Sequence, residues 1–571
     1  MSLVTSKEST DQRTSNETEV FAISGIEDRS NKTQPSFNED HSIGYANEEL
    51  TTFQILPRLF KMWKNALVLL LTPLIFSPLV FSEKKELRCA FCIGVMVVYW
   101  VTEVIPLPAT AVIPVVLYPL TGVMTCKAIA QQFMNDANFL FLGGLFVAQA
   151  IENWDLHKRI ALFVLNMVGG DPKCVMLGIM ISTATLSMFI SNTATTAMMV
   201  PLAQSLVMEL ISSYNMDPGS QAQHARNFKQ MSAGIMVCVC VAANIGGIGM
   251  LTGTPINLVL VGQLPEIFGS EVTIDFVTWF IFAFPLMWCC LLAAWLTLSI
   301  FFLRNTSTKD ARVTELLHKK YIELPKMNYA EKSVAVCLFL LLFLWIFKDP
   351  GFITGYGVLF PKKYYTDTTS VMMVAIIIFA LPSRKPNFCD LKQKEEIPRL
   401  IDWPSTQVRV PWGVVLLLGG GFAVAAGVKE SGLSAMIGRS LSTFQDLPLW
   451  AFQMLTMAFT LMVTNVCCNL PSATILVPVV ATLAVEIQVH PFALMIPVTV
   501  MVSCTFVLPV GTPPNAIVFA SEMITMSEMA SSGILLSIVC LLVTFIYMNS
   551  VAFLIFPLSE FPTWADLYNS S

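Results

Sequence analysis

Three polar motifs recur in this chain in the same order in each half, and all are built from side chains that can hold ions without titrating. The first half has Gly143-Gly144, then Ser191-Asn192-Thr193, then Gly253-Thr254-Pro255-Ile256-Asn257. The second has Gly419-Gly420-Gly421, then Cys468-Asn469-Leu470, then Gly511-Thr512-Pro513-Pro514-Asn515. The offsets are 276 from Gly143 to Gly419, 277 from Ser191 to Cys468 and 258 from Thr254 to Thr512. Asn and Thr donate N–H and O–H to a carboxylate, and their oxygens can bind a hard cation. A helix beginning just after Ser191-Asn192-Thr193 adds unpaired backbone N–H groups and a positive dipole end. In the Gly-Thr-Pro-x-Asn segments Gly relaxes φ and Pro removes a donor. The freed carbonyls can then coordinate Na⁺ while the Thr hydroxyl faces an anion. No Lys or Arg lies in any of the six motifs, so dipoles and co-bound cations would have to balance an anion's charge.

Each motif alone is a weak signal. Ser and Thr in apolar helices commonly bond back to the preceding turn, a Thr-Pro pair kinks a helix, and glycine pairs favour close helix packing over ligand contact. The ordered duplication is what makes them specific. Paired breaks at corresponding places in two apolar halves are the pattern of a secondary transporter's binding site.

The elements that must position these motifs are membrane helices. Hydrophobic residues make up 55% of the 571 and charged residues 13%, and the mean hydropathy is +0.66; soluble domains do not have that balance. A spanning helix needs ~20 mainly apolar residues. Such runs lie near 65–81, 88–105, 108–124, 137–153, 231–263, 276–303, 331–348, 367–382, 412–428, 492–521 and 531–557. Two further apolar stretches, near 174–212 and 449–487, are interrupted at their middles by Ser-Asn-Thr and Cys-Asn-Leu. A polar interruption at that depth predicts a re-entrant helix hairpin, since irregular backbone inside a membrane must be buried in protein or line a cavity. The alternative is two ordinary spans per stretch, with the motif in an external loop. The 14 cysteines fall mostly inside apolar runs, without metal-ligand spacing.

Residues 1–54 are Ser, Thr, Asn, Asp and Glu rich and aperiodic, which predicts a disordered tail; residues 55–571 form the transmembrane domain. Basic residues cluster before the first span and in the loops 304–330 and 383–410, whereas 264–275 and the tail from 558 have none. Placing basic segments inside puts the amino terminus in the cytoplasm and, after eleven spans, the carboxyl terminus outside. Lys84, Lys85 and Arg88 in the first outer loop oppose this mildly. A sequon at Asn569 would be external, and those at Asn16, Asn31 and Asn305 internal.

At this point the residues resemble a family. Ser191-Asn192-Thr193, the Asn469 motif, the Gly-Thr-Pro-x-Asn pair, Pro411-Trp412-Gly413 through Gly421 and Phe561-Pro562-Thr563-Trp564-Ala565 look like the divalent anion/sodium symporters. The resemblance covers the chain from about residue 55 and extends to the fly-type carboxylate carriers called I'm Not Dead Yet. It implies an all-α fold of about eleven transmembrane helices in two inverted repeats, about 88–303 and 331–557, with two re-entrant hairpins. It also implies a scaffold and a transport domain moving as an elevator, and a homodimer. Ser187, Ser191, Asn192 and Gly253 match the family's first sodium site; Thr464, Asn469 and Gly511 match the second. Asn192, Thr193, Asn469 and Thr512 match its substrate contacts, and the helix with His157, Lys158 and Arg159 matches a linker between domains. Cys468 stands for the family's Ser and Leu470 for Thr or Val, which leaves the second cation site resting on Thr464 and Asn469.

The sequence therefore predicts a plasma-membrane carrier of di- or tricarboxylates such as succinate or citrate, coupled to Na⁺. A sodium-independent carboxylate exchanger, a sodium-sulfate carrier and, from another class, a carboxylate-sensing receptor are the alternatives. No intramembrane cluster of His, Asp or Glu points to an enzyme; Glu103, Asp136 and Glu152 lie singly at helix ends.

Overall fold

The computed structural model describes residues 52–167, 171–213, 221–304, 311–350, 354–361, 364–385, 397–433, 436 and 448–565. The chain forms two units, Met1–Met62 and Trp63–Ser571; of the first, only the helical backbone of 52–62 is described. The expected disordered tail up to residue 51, all four sequons, and Lys309, Lys392 and Lys394 of the basic loops lie outside the described residues.

The described chain is helical, with one isolated bridge between Pro382 and Arg399. Helices α1 (Thr52–Val80) and α2 (Lys85–Thr102) lead to α3 (Leu107–Ala111) and α4 (Ile113–Thr121). The run expected to span 108–124 is thus split at Val112, because Pro114 offers no N–H and crowds the preceding turn. Then come α5 (Cys126–Phe133), α6 (Asp136–Asn153) and α7 (Leu156–Asn166). The first interrupted stretch folds as the pair α8 (Pro172–Ser187) and α9 (Asn192–Ser213). After it, α10 (Gln221–Ile248) breaks before α11 (Pro255–Phe268), and α12 (Phe276–Phe302) closes the first half.

Helix α13 (Ala311–Ile322) leads into the second half, which opens with α14 (Tyr329–Lys348) and α15 (Asp367–Ala380). The same series then repeats as α16 (Trp403–Arg409), α17 (Trp412–Ser431), and the hairpin of α18 (Leu449–Val466) and α19 (Asn469–Glu486). A second broken helix, α20 (Phe492–Ser503) and α21 (Pro513–Phe519), precedes α22 (Met526–Met548) and α23 (Ala552–Ile555). Among the described residues eight helical segments are long and apolar enough to cross a membrane. The runs 231–263 and 492–521 are not single helices: each is a helix, a break and a shorter helix. Proline at the first position of α11 and α21 sets that restart, where its missing N–H costs nothing.

The halves match beyond their motifs. Pro201 in α9 and Pro478 in α19 sit at equal distances from Asn192 and Asn469, so both hairpin arms carry a proline inside the helix at the same place. The glycines pack. A Cβ on Gly143 would meet Val371 of α15 at 2.7 Å, and one on Gly421 would meet Thr474 of α19 at 2.7 Å. A Cβ on Gly246 would lie 2.5 Å from the Ala184 backbone, so α10 and α8 approach as only small residues permit. The segment Met231–Ile248 of α10 and all of α20 are buried. By contrast α1, α12, α14 and α22 present exposed Leu, Ile and Phe, as lipid-facing helices do.

Candidate functional site

The tips of both hairpins meet the breaks of both broken helices. Asn192 opens α9 and Asn469 opens α19. Thr254 and Thr512 precede α11 and α21 in the same extended conformation, with φ −141° and −146°. The helix starts at Asn192, Pro255 and Asn469 bring unpaired N–H groups to the region, which favours an anion.

Breaking a buried helix orphans carbonyls, and each half satisfies them in the same way. Asn257 Nδ2 donates to Gly247 O at 3.1 Å and Met250 O at 2.9 Å. Asn515 Nδ2 donates to Thr505 O and Leu508 O, both at 3.1 Å. Trp279 Nε1 of α12 donates to Ile248 O at 3.1 Å. At the corresponding place in α22, Ser537 Oγ donates to Cys504 O at 3.4 Å. The breaks are therefore built features held by named donors. Gly253 and Gly511 must be glycine for close approach: a Cβ would lie 2.6 Å from Gly247 O in one and 2.5 Å from Thr505 Cγ2 in the other.

Each tip also gathers oxygens with too few protons between them. In the first half Ser187 Oγ lies 2.7 Å from both Asn192 Oδ1 and Ala243 O. One hydroxyl proton can bridge only one of those contacts. In the second half Thr464 Oγ1, Thr505 Oγ1, Asn469 Oδ1 and Val502 O form a cluster. Thr464 is 2.9 Å from Asn469 and from Thr505, and 3.1 Å from Val502 O. Thr505 is 2.8 Å from Asn469 and 3.0 Å from Val502 O. Those five contacts share two protons. Oxygen clusters that lack hydrogens at hydrogen-bond separation fit a hard monovalent cation, which takes neutral hydroxyl and carbonyl ligands.

Asn244 joins the two clusters. Its Oδ1 accepts from Asn192 Nδ2 at 3.4 Å, and its own Nδ2 faces Thr505 O at 3.4 Å and Thr512 Oγ1 at 3.5 Å. These are long, weak bonds, but they run from one half to the other through a residue 1% exposed. No titratable side chain belongs to this network, so its charge does not change with pH.

The structure thus brings together Ser187, Asn192, Thr464, Asn469 and Thr512. Ser191 caps α9 by accepting from Ala194 N at 3.3 Å. Thr193 is exposed and Leu470 is buried in the apolar core, so these counterparts face different surroundings. The Cys468 thiol makes no hydrogen bond to the second oxygen cluster, where Thr505 supplies a hydroxyl instead. Sequence reasoning missed Thr505 and Asn244. Thr505 aligns with Gly247, so the duplication itself hid it; a search for polar residues in the last turns before each Gly-Thr-Pro and in the break itself would have found both. Arg159 of α7 pairs with Glu331 of α14 at 3.1 Å and donates to Pro325 O at 2.7 Å, which ties the expected linker helix to α14.

With this geometry in view, similarity to known proteins is specific. Residues 58–556 match the family model described as the sodium:sulfate symporter transmembrane region. The chain is 51% identical over 531 residues to the sodium-dependent high-affinity dicarboxylate transporter 3 of Caenorhabditis elegans, covering 92% of this chain and 94% of that one. It is 38% identical to the Na⁺/citrate cotransporter of Rattus norvegicus, covering 88% and 97%. Among solved structures, Neisseria gonorrhoeae MtrF superposes with a TM-score of 0.50 at 12% identity over 74% of this chain and 82% of that one. That last likeness concerns the fold alone.

Proposed function

The chain belongs to the sodium:sulfate symporter transmembrane family, and from that premise we propose that it is a secondary carrier of di- and tricarboxylates driven by Na⁺. The observation that carries this reading is the pair of proton-poor oxygen clusters at Asn192 and Asn469, joined through Asn244. Their ligands are neutral. A Na⁺ bound there keeps its full charge, and in a low-dielectric interior that charge attracts a carboxylate strongly. The anion has no Lys or Arg partner among the network residues, so it would bind well only after the cations. That dependence is what couples the two fluxes.

Substrate carboxylates would lie against Asn192, Thr193, Asn469 and Thr512, near the helix starts. Citrate and dicarboxylates are the substrates named for the relatives above, which supports the class. Absence of a hydroxyl at Cys468 does not favour a sodium-independent exchanger, because Thr464 and Thr505 already surround Asn469 with oxygens. Uptake of labelled succinate, citrate and sulfate in cells expressing the chain, with Na⁺ replaced by choline, tests the reading. Succinate or citrate uptake lost in choline is expected; uptake that persists would point to the exchanger, and sulfate alone to a sulfate carrier. Substrate binding without counterflow in liposomes would make the protein a receptor.

The same reading makes the two halves inverted repeats, with α8–α9 and α18–α19 as re-entrant hairpins. They ride in a transport domain that moves as an elevator against a scaffold, within a plasma-membrane homodimer. The amino terminus is cytoplasmic and the carboxyl terminus extracellular. An epitope after Ser571 should then bind antibody on intact cells and one before Met1 only after permeabilisation; both ends on one side would defeat the inverted arrangement.

A further inference from the structure

Away from the hairpin tips, a groove of about 430 Å³ lies between the start of α8 and the end of α12, lined by Lys173, Trp295, Leu296, Ser299, Ile300 and Arg304. Its lining is of two kinds. Leu296 and Ile300 are 52% and 67% exposed, an apolar wall of the kind that faces lipid. Lys173 and Arg304 line the same groove, and among the described residues neither has a carboxylate within ion-pair distance. Asp171, the N-cap of α8, accepts from the Lys173 backbone N–H at 3.0 Å and does not line the groove. Trp295 Nε1 donates to Lys173 O at 2.9 Å, which fixes the indole at the junction between the polar and apolar parts, where Trp is favoured at a membrane interface.

Ser299 supplies an independent observation. It is 6% exposed, it lines this groove, and its hydroxyl has no hydrogen-bond partner. A buried hydroxyl in an apolar helix normally bonds back to its own preceding turn; this one does not. An unpartnered donor beside two unpaired cations is the donor set for a phosphodiester.

We propose that this groove binds an anionic phospholipid, with the headgroup phosphate between Lys173 and Arg304 and an acyl chain along Leu296 and Ile300. The apolar wall selects a lipid over a free anion, and the paired cations select an anionic headgroup over a zwitterionic one. In the orientation proposed above, the groove opens on the cytoplasmic leaflet, where anionic lipids reside.

The test uses the full chain in detergent and counts retained dioleoylphosphatidylserine against dioleoylphosphatidylcholine by native mass spectrometry, so that the acyl chains are matched. Phosphatidylserine should be retained preferentially. Lys173→Gln and Arg304→Gln should each cut that preference about fivefold, the change that about 1 kcal/mol per basic residue near an anionic leaflet converts to. Ser299→Val keeps both charges but removes the donor and fills the floor, and it should also lower the preference; it decides the matter if the charge variants fail to fold. Equal retention of both lipids would overturn the proposal, as would an unchanged preference in Ser299→Val and the charge variants. Displacement of phosphatidylserine by millimolar inorganic phosphate would make it a free-anion site instead. None of these readouts involves transport, so their failure leaves the carrier reading untouched.

Discussion

Asn257 and Asn515 hold the same two carbonyl positions, ten and seven residues behind themselves, in opposite halves of the chain. In each, both contacts come from the amide nitrogen, and the side-chain oxygen is left buried without a donor. The two residues therefore act as staples across the helix breaks. Met250 O and Leu508 O also accept from the backbone N–H of Gly253 and Gly511, and Thr505 O has a long contact from Asn244, so replacing either with Ala would remove two hydrogen bonds of about 0.5–1.5 kcal/mol each across the break. Thermal unfolding in detergent should fall clearly in both variants, while substrate affinity in the folded fraction changes less than in Asn192→Ala. An unchanged melting temperature with weakened binding would instead make these residues ligand contacts.

Asn192 and Asn469 belong to the oxygen clusters. If the proposed site holds, Asn192→Ala or Asn469→Ala removes a cation ligand and a substrate donor together, so apparent affinities for Na⁺ and for succinate should both weaken about tenfold or more at normal surface expression, from a loss of about 1–3 kcal/mol. Normal kinetics in either would refute that half of the site. Cys468→Ala should leave the Na⁺ dependence unaltered, since the thiol lies outside the cluster; a large shift would restore it as a ligand.

Asn244 links the halves by bonds of 3.4 and 3.5 Å. Each is worth little, about 0.5–1.5 kcal/mol at most, so Asn244→Ala should weaken Na⁺ and substrate binding only a few-fold. Its particular signature should be a lower Hill coefficient for Na⁺, because the two clusters would lose their connection. A large loss of uptake with unchanged Na⁺ cooperativity in the residual activity would assign Asn244 to substrate itself.

Leu470 is buried among apolar neighbours, whereas Thr193 is exposed. Leu470→Thr should accordingly lower expression or rate while leaving the ratios among succinate, citrate and glutarate unchanged. A shift in those ratios would return the residue to the substrate surface and show that its burial is relieved during transport.

Much of this was readable from residues alone. The apolar runs, the paired Gly-Thr-Pro-x-Asn breaks and the Asn192 and Asn469 motifs announced membrane helices interrupted at matched places, because Gly and Pro act locally on the backbone wherever they occur. Helix continuity was less legible: the runs 231–263 and 492–521 read as continuous, since hydropathy does not register where a buried helix stops when its freed carbonyls are satisfied from elsewhere. Only the tertiary structure showed that Trp279 and Ser537 supply part of that satisfaction, that Thr505 joins Thr464 around Asn469, and that Asn244 joins the halves. Asn244 and Thr512 are 268 positions apart, and a contact across that distance depends on how four helix ends pack. Local chemistry is written in the spacing of the motifs; which oxygens share too few protons depends on packing, and no spacing records it.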